Sequence, residues 1–490
     1  MPSGEGCRPS GWPTGRSSTT RSPTAPGSCS QAGQEDGEVA LTAAVADFVA
    51  GTDPARLPDA ALDLAERAFV DTVGVAVAAA PDPTVRSIWQ AFGAGLPDGP
   101  SALLTRPGST QPVQAALLNG TAAHALDFDD VADDLVGHPS AVLVPAALAV
   151  AQQTGASGRQ VLAAYCAGFQ VECAVAAGMS ISRHYARGWH STATLGVLGA
   201  AAAAASLLAL QPWQVRHAVG IAASLAGGSR QNFGTMTKPL HAGTAASDGV
   251  FAAMLAAANF TADPDQLEAP LGYFALYGDE VDLAAALAVL GEPCALSHRG
   301  LDVKKHPCCY KAARAADAAL ALAEDGVHAG DVERVTVTVE PEGLGPLIHH
   351  RPVTGLQGKF SLEYIVAASL TDHRLTLRSF TDDAVCRDPL QRLLARVCVT
   401  ETDPPPDRAP DWADAFAEVT VETRAGLRHT RRVDTPRGHA LAPLDEDELA
   451  DKFHDCLDHG GAAHDPHVLL AGLRELRECP DVHGLLRGRR

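Results

Sequence analysis

Residues 191–210 carry no charge, and alanine, leucine and glycine make up most of the run. A stretch this apolar is stable only in a bilayer or at the packed centre of a helical protein. Few of its side chains are large, and small residues suit close helix packing, so it is read as a central helix. The flanking sequence agrees. From residue 41 to about 274, apolar positions recur three and four apart, as at Leu62, Ala65, Phe69, Val73 and Ala76 behind the Pro58-Asp59 start signal. Helices are predicted over 142–152, over 158–177 and over 212–226, where Gly227-Gly228 breaks the pattern. Nothing in this half reads as a strand.

The pattern changes near residue 297. Val335 to Val339 alternates with period two, which predicts a strand; 395–399 is a second, and 418–422 with 427–433 forms a hairpin about Ala425-Gly426. Helices are expected between them over 312–323 and 362–370. After Pro443 a helical pattern returns, with carboxylates in its first turn, where the helix dipole favours them. The fold class is therefore mainly α: a large all-helical domain with a smaller α+β domain inserted before the C-terminal helices. The expected boundaries are a disordered leader over 1–37, the helical domain over 38–296, the α+β domain over 297–432, and a return to helix with a loose tail over 433–490. The leader is rich in Gly, Ser, Pro, Thr and Arg, which cannot bury enough apolar surface to fold. It lacks the apolar core of a secretory signal.

Charge narrows the function. The net charge is −20, so a phosphate-neutralising surface is not expected and nucleic acid is excluded as a partner. A carboxylate substrate would need positive groups supplied locally, because the overall field repels it. The 11 cysteines are irregularly spaced without a C-x-x-C pair. This argues against a disulfide framework or a zinc knuckle and for a reducing, cytoplasmic setting. No glycine-rich phosphate loop and no internal repeat is present. No metal and no cofactor is expected, and no membrane partner.

Four segments concentrate polar residues beside apolar helices. The first runs His124-Ala-Leu-Asp127-Phe-Asp129-Asp130, then Gly137-His138-Pro139-Ser140. These residues either punctuate a loop and cap the next helix or gather donors around carboxylates that otherwise repel one another. The second, Gly188-Trp189-His190-Ser191, opens the uncharged run, and His190 is either a cap or a group that binds an anion or moves a proton. In the third, Lys238-Pro239-Leu240-His241-Ala242-Gly243, Lys238 is either surface-exposed or aimed at an anion. The fourth, 302–311, holds Lys304, Lys305, His306, Cys308 and Cys309 at the domain boundary, where ligand clefts are favoured.

Taken in order, these segments together with Lys304-x-x-Pro307, Phe360-Ser-Leu-Glu-Tyr364 and Pro443 to Phe453 resemble the MmgE/PrpD family over residues 38–457. The family includes 2-methylcitrate dehydratases, cis-aconitate decarboxylases and an iminodisuccinate epimerase. The resemblance implies that the α+β domain is a lid, that the site lies in the cleft beneath it, and that the protein is a homodimer working without metal. It implies catalytic positions at Asp127, His138, His190, Lys238, Lys304 and Tyr364. The chain departs from the decarboxylase pattern at Val131 and Cys309, where Thr and His are expected, and from the dehydratase pattern at Ala141, where Asp is expected.

These reactions develop carbanion-like charge next to a carboxylate, and cations aimed at that carboxylate stabilise it. Lys238, Lys304 and His190 are the expected cations, with His241 and Cys309 as further substrate-binding groups. His138 or His190 is the expected proton-transfer group, since imidazole titrates near neutrality. Asp127 would orient it, and Tyr364 would donate to a leaving hydroxyl or a carboxylate. The expected function is a cofactor-independent lyase of a small di- or tricarboxylate. The alternatives are an epimerase or isomerase using the same proton abstraction, and a non-catalytic binding protein on the same fold.

Overall fold

A computed structural model of the chain describes residues 40–404, 415–461 and 465–486. The leader expected over 1–37 lies outside them.

The uncharged run lies at the centre of the helical part. It is interrupted at Leu195 into the helices Ser191–Thr194 and Gly196–Leu207, and every residue of the second from Gly196 to Ala205 is buried. Helices Ser140–Thr154, Gly158–Ala177, Pro212–Leu225 and Thr237–Ala257 pack around it. Glycine makes the closest of these contacts possible. A Cβ on Gly243 would lie 2.1 Å from Thr121 Oγ1 and 2.4 Å from the Leu117 carbonyl oxygen. This seats Thr237–Ala257 directly on helix Pro112–Ala125. Helix Gly158–Ala177 is the one described helix long and apolar enough to cross a membrane, and 89% of its apolar window is buried inside the protein.

The helical expectations fall on Asp59–Ala78, Ser140–Thr154, Gly158–Ala177 and Pro212–Leu225, within two or three residues at the ends. One pair of strands in this half has no counterpart in the sequence reading. β1 (Ser101–Ala102) and β2 (Ser109–Thr110) form a two-stranded antiparallel ladder too short to show alternation. Beyond Gly460, where a loose tail is expected, helix Pro466–Arg474 buries Leu469, Leu470 and Leu473.

The α+β part holds a four-stranded sheet in the order β4-β3-β5-β6. Its strands are β3 (Val332–Val339), β4 (Val397–Glu401), β5 (Ala417–Thr423) and β6 (Arg428–Val433). β3 and β4 are parallel, with Val335 opposite Val397, which requires a crossover. That connection contains helix Leu362–Asp372, which packs with Ala313–Glu324 against the sheet. β3 pairs antiparallel with β5, and β5 with β6. Alternation decides the buried face: Val335, Val337 and Val339 point into a core with Ile365, Val419 and Val421.

Buried apolar residues form one large cluster, drawn mainly from Leu41 to Val303 and from Leu444 onward with Leu377 added, and a second from Cys308 to Val421. Val131, Tyr310 and Ala313 make a small cluster of their own between the two. The C-terminal helix Glu446–Gly460 opens with an Asp445/Glu448 capping box. It returns to the first cluster, laying Phe453 against Gly74.

Candidate active site

The loop from Leu126 to Pro139 joins two buried helices and carries three aspartates in four residues. The structure resolves their repulsion by giving each its own partners. Asp127 takes the Lys238 ammonium at 2.7 Å and the Lys304 ammonium at 3.2 Å, and Lys304 also donates to the Asp127 carbonyl oxygen at 2.8 Å. Burial alone would raise the Asp127 carboxyl, but the two ammoniums outweigh it and hold it well below the usual range. Asp129 receives the His124 Nδ1–H at 2.7 Å and lies 3.3 Å from His138 Nδ1. Against the effect of burial, the two imidazoles hold it well below the usual range. Among the described residues Asp130 has no cation partner. Burial pushes its carboxyl up to about 8, and it bonds to the Ser140 hydroxyl, which is also 2.7 Å from the Tyr165 hydroxyl. The helix beginning at Ser140 is thus tied to the loop by Ser140 Oγ, and its N-cap position is Pro139.

Lys304 arrives here because residues 131 and 302 pair as a short antiparallel bridge, with N–H···O distances of 2.9 Å in both directions. Two further lysines brace the loop from distant elements. Lys452, on helix Glu446–Gly460, donates to the carbonyls of Phe128 (2.9 Å) and Lys304 (2.8 Å) and pairs with the buried Asp71 at 2.5 Å. Lys359 donates to the Leu126 carbonyl, and burial lowers its ammonium to about 8. Neither lysine's role is written in its local sequence, because what they hold lies far away in the chain.

A cavity of about 550 Å³ opens beside Asp127. From the helical part it is lined by Asp127, Val131, His138, Tyr185, His190, Arg230, Phe233 and Lys238, and from the α+β part by Lys304, Cys309, Lys311, Glu340 and Phe360. Lys311 pairs with Glu340 at 2.9 Å. Six of the residues singled out from the sequence therefore share one cavity: Asp127, His138, His190, Lys238, Lys304 and Cys309. His241 does not line it but touches His190, ring nitrogen to ring nitrogen at 3.2 Å. Tyr364 is not brought there. It is fully buried in the α+β core and donates its hydroxyl to the Ser379 carbonyl, so the expectation that it meets substrate is corrected. Asp127, expected to orient an imidazole, pairs with the lysines instead, and the carboxylate touching imidazole is Asp129. Arg230, Tyr185 and His124 were not singled out as site residues, although His124 stands in the same loop motif.

The tautomer of His138 follows from its neighbours. Its Nδ1 lies 2.8 Å from the Asp130 carbonyl oxygen, which only accepts, so Nδ1 carries the proton and Nε2 of the neutral ring carries the lone pair. Burial lowers its pKa, and the Asp129 charge opposes that. His190 stands at the start of helix Ser191–Thr194 without a side-chain cap bond. Burial, then the neighbouring His124 and Lys238, push its pKa well below the ordinary value, and its Nε2 is buried without a partner. These surroundings disfavour the cationic form and suit His190 to hydrogen bonding rather than to the counter-charge role expected of it. His124, Asp127, Asp129 and His138 bring ligand-type atoms within 4.8 Å of one another, a spacing that suits a metal ion. Here, however, Asp127 is already neutralised by two ammoniums and both imidazole Nδ1 protons are committed, so an added cation would meet Lys238 and Lys304.

A helical body with a small α+β part, together contributing imidazole and ammonium groups to one cavity, is the class that fold and site define. The chain belongs to the MmgE/PrpD family: residues 43–286 match the MmgE/PrpD N-terminal domain and residues 306–471 the MmgE/PrpD C-terminal domain. It is similar to the cis-aconitate decarboxylase of Homo sapiens, with 28% identity covering 77% of this chain and 80% of that protein. With the cis-aconitate decarboxylase of Mus musculus it shares 27% identity over 91% of this chain and 93% of the relative. It is also 27% identical to a cis-aconitate decarboxylase-like protein of Aspergillus oryzae, over 84% and 89% of the two chains.

Proposed function

We propose that the protein is a cofactor-independent lyase that dehydrates or decarboxylates a small di- or tricarboxylate by moving a proton next to a carboxylate. The observation that carries this is the pairing of an imidazole with a free lone pair and two buried ammoniums on one cavity wall. His138 Nε2 is the base, because its Nδ1 proton is held by the Asp130 carbonyl. Lys238 and Lys304 are the counter-charges for the substrate carboxylate on which negative charge develops. Asp127 holds both ammoniums in place before substrate enters. His190 supplies a hydrogen bond and is backed by His241, and Cys309 contributes a compact wall whose thiol burial keeps protonated, up to about 11. The names of the similar proteins support decarboxylation of cis-aconitate as the first activity to assay.

A second reading is epimerisation of a dicarboxylate such as iminodisuccinate by the same base. It is favoured by Val131 and Cys309, which make this part of the cavity less polar than the Thr and His expected of a decarboxylase. The homodimer implied by the family resemblance is part of the proposal, and light scattering of the purified chain tests it. To test the function, the protein is incubated with cis-aconitate, citrate, 2-methylcitrate and iminodisuccinate. CO2 release, unsaturated product and stereochemistry are followed separately. Activity lost to a chelator and restored by iron or zinc would overturn cofactor independence. Absence of both turnover and solvent-deuterium exchange with all four compounds would overturn the enzyme reading.

A further inference from the structure

We infer that Arg230 is a second carboxylate-binding residue of this cavity, so that the substrate carries carboxylates at two separated positions, one on Lys238 and Lys304 and the other on Arg230. This rests on the reading of the cavity as a small-carboxylate site and adds to it a specificity-determining residue.

Arg230 stands in a short 3-10 turn, Arg230–Asn232, and its backbone is fixed from both sides of a bridge: Arg230 N–H donates to the Gly188 carbonyl at 2.9 Å and His190 N–H donates to the Gly228 carbonyl at 3.0 Å. The pairing that positions His190 therefore positions Arg230 as well. Its guanidinium sits over the Tyr185 ring, 3.4 Å from Cζ to the centroid, and one terminal nitrogen donates to the Tyr185 carbonyl at 2.6 Å. A guanidinium held by a ring face and one hydrogen bond has lost most of its rotational freedom before any ligand binds.

Its remaining hydrogen-bonding capacity points to a ligand. The Nε–H is buried and has no partner. Buried donors in folded proteins are nearly always satisfied, and leaving one unmade is costly. Among the described residues Arg230 also has no carboxylate partner, whereas Lys238 and Lys304 share Asp127 and Lys311 has Glu340. A planar fork with a donor unmet and no internal anion suits bidentate capture of a carboxylate.

The spacing limits what that ligand can be. Arg230 Cζ is 5.7 Å and Lys238 Nζ 5.2 Å from the centroid of the same Phe233 ring. The two cations are thus no further apart than the sum of these distances, which is within the reach of a single small di- or tricarboxylate. Phe233 is the apolar floor between them, where the carbon skeleton of such a ligand would rest.

The test uses tricarballylate, a saturated tricarboxylate, and butyrate, a monocarboxylate of similar chain length, titrated against the full chain by ligand-observed NMR. Arg230→Gln should weaken tricarballylate by about tenfold or more, the loss expected for a charged hydrogen-bonded pair. It should leave butyrate binding unchanged. Arg230→Lys, which keeps charge but not the fork, should fall between the two for tricarballylate and serves if the glutamine variant does not fold. Equal tricarballylate affinity in wild type and variants would overturn the inference while leaving the carboxylate reading intact. Equal weakening of both ligands would also overturn it, by showing that Arg230 acts only through the loop at Tyr185. Failure of tricarballylate to bind the wild-type protein would instead overturn the carboxylate reading itself.

Discussion

At residue scale the site depends on where three adjacent carboxylates turn. Asp127 sits at φ 52°, a left-handed conformation that aspartate tolerates better than most residues. That turn lets Asp127 face the lysines while Asp129 faces the imidazoles. The division sets the pH dependence. The base form of His138 is the neutral one, and burial lowers its pKa below the ordinary 6.5. The acidic limb of kcat/KM should therefore lie below the usual imidazole range, with activity rising as pH rises through it. Because the Asp129 charge raises the His138 pKa, Asp129→Asn should move that limb to still lower pH; a shift the other way would assign the limb to another group. His138→Gln should abolish both turnover and solvent-deuterium exchange at the substrate carbon, followed by proton NMR. Lys238→Ala and Lys304→Ala should each lower kcat/KM by about 10²–10³, the usual cost of losing one electrostatic donor in a closed site. Lys305→Ala is the control. Its side chain is 43% exposed and pairs with Glu448 at 3.4 Å, so its variant should keep near wild-type turnover. Equal losses in all three would mean that the loop matters only structurally.

At the scale of elements, the legible features were those written in local periodicity. The strands from β3 to β6 and the helices that cover them were readable from alternation and from three- and four-residue spacing. Four of the cavity residues were readable as loop motifs at helix ends. What was not readable is long-range. Lys452 is separated from Phe128 by 324 positions, and although it stands in the Pro443–Phe453 segment of the family resemblance, nothing local says that it reaches that loop. Tyr364 was misplaced for the complementary reason: its motif is real, but the rotation of helix Leu362–Asp372 points its ring into the α+β core. His190 was expected to carry charge because a sequence shows its helix-start position and not its burial. Lys452 supports a stability prediction of its own. Replacing it with Met leaves the Asp71 carboxylate without its cation in the core and removes two donors to loop carbonyls. Breaking one side of a buried pair typically costs about 3–5 kcal/mol. Urea unfolding of Lys452→Met should show a loss of that size, and adding Asp71→Asn should recover part of it. An additive double variant would mean that the two do not interact.

At the scale of the whole molecule, the helical core buries carboxyl groups that no cation compensates, and this sets how stability responds to pH. Asp130 is fully buried and its carboxyl is raised from 3.8 to about 8; Glu172, against Gly199, is also pushed up by burial. The sign follows from proton counting. Between the unfolded and folded pKa values of Asp130, the folded chain holds a proton that the unfolded chain has released. Unfolding is therefore increasingly favoured as pH rises, by up to about 1.4 kcal/mol per pH unit for each such group. The contribution is fully present below about pH 4 and is lost progressively toward pH 8, above which Asp130 adds no further slope. Asparagine keeps the size and a hydrogen-bond acceptor for Ser140 but has no proton to lose. Asp130→Asn should therefore match the wild-type melting temperature most nearly at pH 5 and exceed the wild-type value, relative to that baseline, at pH 8. Melting temperatures measured every half unit between pH 5 and 8 give the two slopes. Parallel slopes would show that Asp130 is ionised in the folded protein, with its charge met by groups other than Ser140 and Tyr165. Glu172, Asp71 and Asp302, whose carboxyls burial also raises, would then be the candidates, and Glu172→Gln provides the same comparison for the first of them.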